Sequence, residues 1–150
     1  MFWSATMAYF FGTYHHNLDS KGRLNLPAQL RKQISNESAG QLLITKGLKG
    51  GCLFVYPQDN WQRIMAELES QPRTEESRNA LRIFAAESIL AELDAQGRIM
   101  IPAKFLQETG LTKEAVIVGV SDKMEIWNPE SYQKLLDQNS GLHQELIKKL

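Results

Sequence analysis

Cys52 is the only cysteine in the chain. That excludes an intrachain disulfide framework, leaves no cysteine cluster for a metal, and fits a reducing compartment. Net charge is missing too: 17 basic residues balance 17 acidic ones, so any nucleic-acid site must be a local patch and not a bulk field. No stretch approaches the ~20 apolar residues of a membrane span. His15 and His16 sit together and His143 lies far away, which is no metal-ligand spacing. Gly47, Gly50 and Gly51 match neither a dinucleotide fingerprint nor a phosphate loop and read as a hairpin connection. No nucleophile elbow occurs, so no enzymatic activity, cofactor or metal is expected. The run from Met1 to Tyr14 is apolar and aromatic but lacks a positive n-region and is interrupted by Ser4 and Thr6. It reads as a lead-in followed by a first strand, not as a signal peptide.

What the chain does contain, it contains twice. Leu18-Asp19-Ser20-Lys21-Gly22-Arg23-Leu24-Asn25-Leu26-Pro27-Ala28 is echoed by Leu93-Asp94-Ala95-Gln96-Gly97-Arg98-Ile99-Met100-Ile101-Pro102-Ala103. Asp19, Gly22, Arg23, Pro27 and Ala28 recur 75 positions later. A match at five positions in fixed register points to an internal duplication. Asp followed three residues on by Gly is a tight-turn pattern, with the Asp side chain free to accept from backbone N–H groups two residues ahead. Leu24 and Leu26 around Asn25, and Ile99 and Ile101 around Met100, alternate as a strand with one face turned inward. Pro27 and Pro102 stop the strands and suit the first turn of a short helix. Two arrangements of the turn are open: Asp19 pairs with Arg23 and Asp94 with Arg98 across the hairpin end, or the arginines point outward with their donor forks free.

Strands are expected at Phe10–His16, Arg23–Leu26, Gln41–Lys46, Leu53–Tyr56, Ser88–Leu93, Arg98–Ile101, Ala115–Val120 and Met124–Trp127. Short helices follow Pro27 (Ala28 to Ile34, carrying Arg31 and Lys32) and Pro102 (through Thr109, capped by Gly110). Ser35 to Gly40 is a loop, and its Asn36-Glu37-Ser38 acceptor pattern carries no meaning without a secretory signal. Between the repeats, Trp61, Ile64, Met65 and Leu68 form a helical stripe expected in the core, and Thr74 reads as the N-cap of a second helix with Leu81, Phe84 and Ala85 facing inward. Asn128-Pro129-Glu130 opens the last long helix, and the tail beyond Gly141 carries Leu142, Leu146, Ile147 and Leu150 at roughly helical spacing.

Leu53-Phe54-Val55-Tyr56 with Trp61 matches Met124-Glu125-Ile126-Trp127 with Tyr132 at an offset of 71, which places a four-residue shortening in the glycine loop. The expected organisation is a first repeat over 10–59, a helical spacer over 60–87, a second repeat over 88–131 and a C-terminal helix over 132–150. One half is too small to bury two amphipathic sheets alone, whereas two halves interlock into one barrel-like core with pseudo-two-fold symmetry.

Phe11-Gly12-Thr13-Tyr14-His15-His16-Asn17-Leu18-Asp19-Ser20-Lys21-Gly22-Arg23-Leu24, with Pro27-Ala28 and the second Asp-x-x-Gly-Arg copy, resembles the MraZ family, the two-repeat bacterial branch of the AbrB-like (SpoVT-AbrB) proteins. The resemblance spans about residue 10 to about residue 140. It implies an α+β fold, a pseudo-two-fold swapped-hairpin β-barrel built from two repeats with flanking helices. It also implies a cytoplasmic, nucleoid-associated DNA-binding transcriptional regulator, a repressor acting on short direct repeats in the promoter of the division and cell-wall gene cluster, its own operon included. The implied partners are double-stranded DNA and copies of the chain in a ring of about eight subunits. The family's motif positions fall on Asp19, Arg23, Asp94 and Arg98. The chain departs from the family in its first nine or so residues and in having Ala95 and Gln96 where the first turn has Ser20 and Lys21.

Local charge agrees with that asymmetry. Residues 17–34 hold Lys21, Arg23, Arg31 and Lys32 against Asp19, while residues 92–109 hold Arg98 and Lys104 against Glu92, Asp94 and Glu108. The main DNA face is therefore expected on the first repeat. Arg23 is the candidate for a base edge or close phosphate. Lys21, Arg31 and Lys32 are candidate phosphate contacts, Arg98 and Lys104 their counterparts in the second repeat, and Asp19 and Asp94 the groups that orient the arginines. Two other readings stand beside this one: a protein-interaction module of antitoxin type, and an oligomeric scaffold without sequence-specific DNA binding.

Overall fold

A computed structural model describes residues 8–34, 41–48 and 51–150. The lead-in before residue 8, the Ser35–Gly40 loop with its Asn36-Glu37-Ser38 pattern, and Gly50 lie outside the described residues. The fold is α+β. Strands β1 (Phe10–Asn17), β3 (Leu42–Lys46), β4 (Cys52–Tyr56), β5 (Ser88–Ala91), β7 (Glu114–Ser121) and β8 (Lys123–Trp127) form one antiparallel sheet in the order β1-β7-β8-β4-β3-β5. Strands β2 (Arg23–Asn25) and β6 (Arg98–Met100) form a separate two-stranded ribbon. Among the described residues the helices are α1 (Ala28–Arg31), α2 (Gln58–Glu69), α3 (Glu75–Ala86), α4 (Ala103–Thr109), α5 (Pro129–Gln138) and α6 (Leu142–Lys148).

The strand order reads the same from either end once β1 is equated with β5, β7 with β3 and β8 with β4. Each repeat thus lends its first strand to the other: β1 pairs with β7, and β5 pairs with β3. A pseudo-dyad passes between Phe54 and Glu125, equivalent positions that face each other in the β4–β8 ladder, and between Leu24 and Ile99, equivalent positions that face each other in the ribbon. The strands do not close into a barrel among the described residues; β1 and β5 remain the two edges of the sheet.

The ladders also relocate the shortening of the second repeat. His16 pairs with Ala115 and Ala91 with Leu42, so Ala115 stands where Leu42 does, at an offset of 73. Trp127 and Tyr56, paired with Val116 and Leu43, differ by 71. Half of the lost length therefore lies between the short helix and the third strand, and only half in the glycine loop.

The ribbon is the lid of the core. Leu24, Leu26, Ile99 and Ile101 are fully buried and pack in one cluster with Phe10, Ile44, Leu53, Val55, Ile117, Met124 and Ile126 from the sheet and Leu30 and Phe105 from α1 and α4. Burying each such aliphatic side chain stabilises the fold by about 1.5–3 kcal/mol. The helices between the repeats are peripheral. Trp61, Ile64 and Met65 of α2 are half-buried and Leu68 is exposed, so the stripe expected in the core only leans on the sheet. On α3, Leu81 and Phe84 are half-buried and Ala85 is exposed, against the expectation that all three face inward. Thr74 does cap α3, accepting from Ser77 N–H at 3.0 Å in a capping box. Helix α1 is shorter than its apolar spacing suggests; hydrogen-bonded turns follow it, and Ile34 is still buried.

Candidate nucleic-acid interface

The two Asp-turns have one geometry. Asp19 Oδ1 accepts from the backbone N–H of Lys21 at 2.9 Å and of Arg23 at 2.8 Å, and Oδ2 accepts from Arg23 Nε at 2.6 Å. Asp94 Oδ1 accepts from the N–H of Gln96 and of Arg98, both at 2.9 Å, and Oδ2 from Arg98 Nε at 2.8 Å. Both carboxyls are held below their ordinary value, first by the backbone N–H of Arg23 or Arg98 and then by its guanidinium. The two arrangements left open by the sequence therefore coexist. Each arginine is paired, but only through Nε, and its terminal nitrogens form no hydrogen bond to the described residues. Such a fork is oriented by its carboxylate and still has donors for a ligand.

Glycine is required at the heart of each turn. Gly22 and Gly97 have φ of 81° and 76°. A Cβ at Gly22 would also stand 3.0 Å from the Ile101 carbonyl oxygen. The turns are tied across the pseudo-dyad: Ile101 N–H donates to Gly22 O at 2.9 Å, and Leu26 N–H donates to Gly97 O at 3.0 Å. In the ribbon Arg23 faces Met100 and Asn25 faces Arg98. Since Leu24 and Ile99 point into the core, these four side chains share the outward face, where Asn25 and Met100 are exposed and the two arginines are about a quarter to a third exposed. His16 Nδ1 lies 2.6 Å from the Asn25 carbonyl oxygen and steadies the end of β2.

The remaining expected residues divide. Lys21 is exposed at the first turn and Lys32 is exposed just past α1. Arg31 is not on the first turn: its guanidinium lies against Gly97, in the turn of the second repeat. Its counterpart Leu106 lies against Gly22, in the first. The exchange of strands carries each short helix onto the other repeat's turn, so the basic residues counted together from 17 to 34 serve both turns. This corrects the expectation that all four belong to a first-repeat face. Arg31 Nε is shielded from solvent and has no hydrogen-bond partner among the described residues. Lys104 lies 3.6 Å from Glu87 and 3.9 Å from Glu108, in a network that Lys46 completes at 3.1 and 2.9 Å from the same two carboxylates. Its charge is largely balanced within the chain. Asn25 joins the expected residues on this face, and its alternation between the buried Leu24 and Leu26 is the signal for it in the sequence.

Among the described residues no group of three or more His, Cys, Asp or Glu is placed to hold a metal ion, and no helix is long and apolar enough to cross a membrane.

Comparison with known proteins agrees with the duplication. The family described as "MraZ protein, putative antitoxin-like" matches this chain twice, over residues 9–84 and 83–146. Among similar proteins, one from Lactobacillus helveticus is 39% identical over 142 residues, covering 94% of this chain and 96% of its own length. One from Lactiplantibacillus plantarum is 40% identical over 142 residues (94% and 97%), and one from Moorella thermoacetica 38% over 142 residues (94% and 96%). Each is named "Transcriptional regulator MraZ".

Proposed function

This chain belongs to the MraZ family, and from that premise we propose that it is a sequence-specific DNA-binding transcriptional regulator. It acts as a repressor on short direct repeats in the promoter of the division and cell-wall gene cluster, its own operon among the targets, in the cytoplasm and in association with the nucleoid. The family name and the relatives' names support regulation of transcription; the ribbon supports DNA as the ligand.

The observation that carries this reading is the outward face of β2–β6. A two-stranded ribbon is narrow enough to enter a major groove. This one presents Arg23, Asn25 and Arg98 over a buried aliphatic floor, with Lys21 and Arg31 at its two turns. Arg23 and Arg98 reach base edges or close phosphates with the nitrogens that Asp19 and Asp94 leave unused. Lys21, Arg31 and Lys32 set the phosphate contacts and with them the salt dependence. Lys104 contributes less, since Glu87 and Glu108 already neutralise it. The strand exchange is the swapped-hairpin feature of an AbrB-like body, and the repeats over 10–59 and 88–131 are its two halves.

A chain with no net charge gains affinity by arraying weak sites. In a ring of about eight copies, several ribbons meet several operator repeats at high effective concentration. The test is to titrate the protein with DNA from upstream of its own gene, cut to carry one, two or more repeats. Affinity rises steeply with repeat number if the reading holds, and equal binding to one-repeat and multi-repeat probes overturns it.

A further inference from the structure

The outward face of the ribbon is symmetric in its arginines and asymmetric between them. The pseudo-dyad through Leu24 and Ile99 exchanges Arg23 with Arg98, so the guanidinium repeats. It also exchanges Asn25 with Met100, and there an amide is replaced by a thioether. Arg23 stands opposite Met100 at one end of the ribbon, and Arg98 stands opposite Asn25 at the other. Asn25 and Met100 are both exposed, and the Asn25 amide forms no hydrogen bond to the described residues.

The backbone beneath the two positions differs as well. His16 Nδ1 donates to the Asn25 carbonyl at 2.6 Å, since a carbonyl can only accept. The residue equivalent to His16 in the second repeat is Ala91, which has no donor on its side chain. The strand that carries Asn25 is thus tied down where the strand that carries Met100 is not. An amide presented in this way can meet adenine N7 and N6 together, with its nitrogen and its oxygen. A methionine in the same place offers apolar contact and a weak acceptor.

We propose that Asn25 is a specificity-determining residue: it reads an adenine at the Arg98 end of the ribbon and gives the ribbon a direction on DNA. Without it, the two ends would present the same base-reading groups and one chain would accept its site in either orientation. With it, the preferred site carries adenine on one flank only. This rests on the DNA reading above and adds to it the base that one side chain selects.

The test is enrichment of a random-sequence duplex pool by wild type, Asn25→Met and Asn25→Ala. Asn25→Met copies the residue already present at the equivalent position, and Asn25→Ala adds no bulk that could clash with a base. Both changes fall on an exposed side chain and leave the bond from His16 to the backbone, so the fold is kept. Wild type is expected to enrich a motif with adenine on one flank. Replacing that adenine in the enriched duplex should weaken binding by about 5- to 150-fold, read by fluorescence anisotropy. Both variants should lose the preference at that position and enrich a motif whose two flanks are alike. A wild-type motif with like flanks, or an adenine preference that either variant keeps, overturns the role of Asn25 and leaves the DNA reading standing. A wild type that enriches no motif overturns both.

Discussion

The guanidinium of Arg31 lies against the backbone of Gly97, in the turn of the repeat to which Arg31 does not belong. Leu106, at the matching place in the second repeat, lies against Gly22. The second turn, with Ala95 and Gln96 in place of Ser20 and Lys21, thus borrows the basic charge it lacks. Arg31→Leu copies an arrangement the chain already uses, and it is expected to fold normally. DNA affinity should fall, and the slope of log affinity against log salt should drop by about 1 as one phosphate contact is lost. Binding isotherms at several salt concentrations check this; unchanged affinity and slope would leave Arg31 a packing residue.

Asp19 and Asp94 set the behaviour of the turns in acid. Their folded-state pKa values lie below the ordinary 3.8. Their contribution to stability is therefore fully present above that ordinary value and is lost as pH falls through the lowered one. Asp19→Asn with Asp94→Asn should weaken the protein at neutral pH and flatten the acid limb of its stability profile. Urea midpoints from about pH 6 down to about pH 3 read this directly. A double variant whose midpoints fall in parallel with wild type would contradict it.

The two repeats meet through Leu24 and Ile99, both completely buried and paired on the pseudo-dyad. Leu24→Ala removes buried methyl groups at the point where sheet, ribbon and helices converge. It should cost about 3 kcal/mol in equilibrium unfolding. A loss under about 1 kcal/mol would mean the site collapses around the smaller side chain.

Burial pushes the Cys52 thiol up to about 12, and the side chain is nearly inaccessible in β4. At neutral pH it stays protonated and unreactive. Alkylation followed by mass spectrometry should label Cys52 only under conditions that unfold the chain, and rapid labelling of native protein would show that β4 opens.

The repeat unit was legible because each of its residues has a local job. Asp caps the turn, Gly takes a positive φ, alternating aliphatics make a one-sided strand and Pro stops it; all of this recurs at Asp94, Gly97 and Pro102. Pairing between repeats was not legible. Nothing local says that β1 lies on β7 and not on its own repeat's third strand, and that long-range choice decides which turn Arg31 serves. Counting charge along the chain put Arg31 with Arg23; counting it in space puts it beside Arg98's turn. The α2 and α3 stripes misled for a related reason. Helical periodicity identifies an apolar face but not how deeply it is covered, and Leu68 and Ala85 remain open to solvent. The halving of the length difference between two connections became visible only when the ladders fixed residue equivalences.

The most direct test of the central claim uses Arg23, whose terminal nitrogens form no hydrogen bond to the described residues and underlie the DNA reading of the ribbon face. Fluorescence anisotropy would compare DNA from upstream of the protein's own gene with scrambled DNA, at two salt concentrations, for wild type and Arg23→Ala. The account predicts that wild type prefers its upstream DNA and that a folded Arg23→Ala loses the preference. An Arg23→Ala protein that folds and discriminates as wild type does, or a wild type with no preference at either salt, would contradict it.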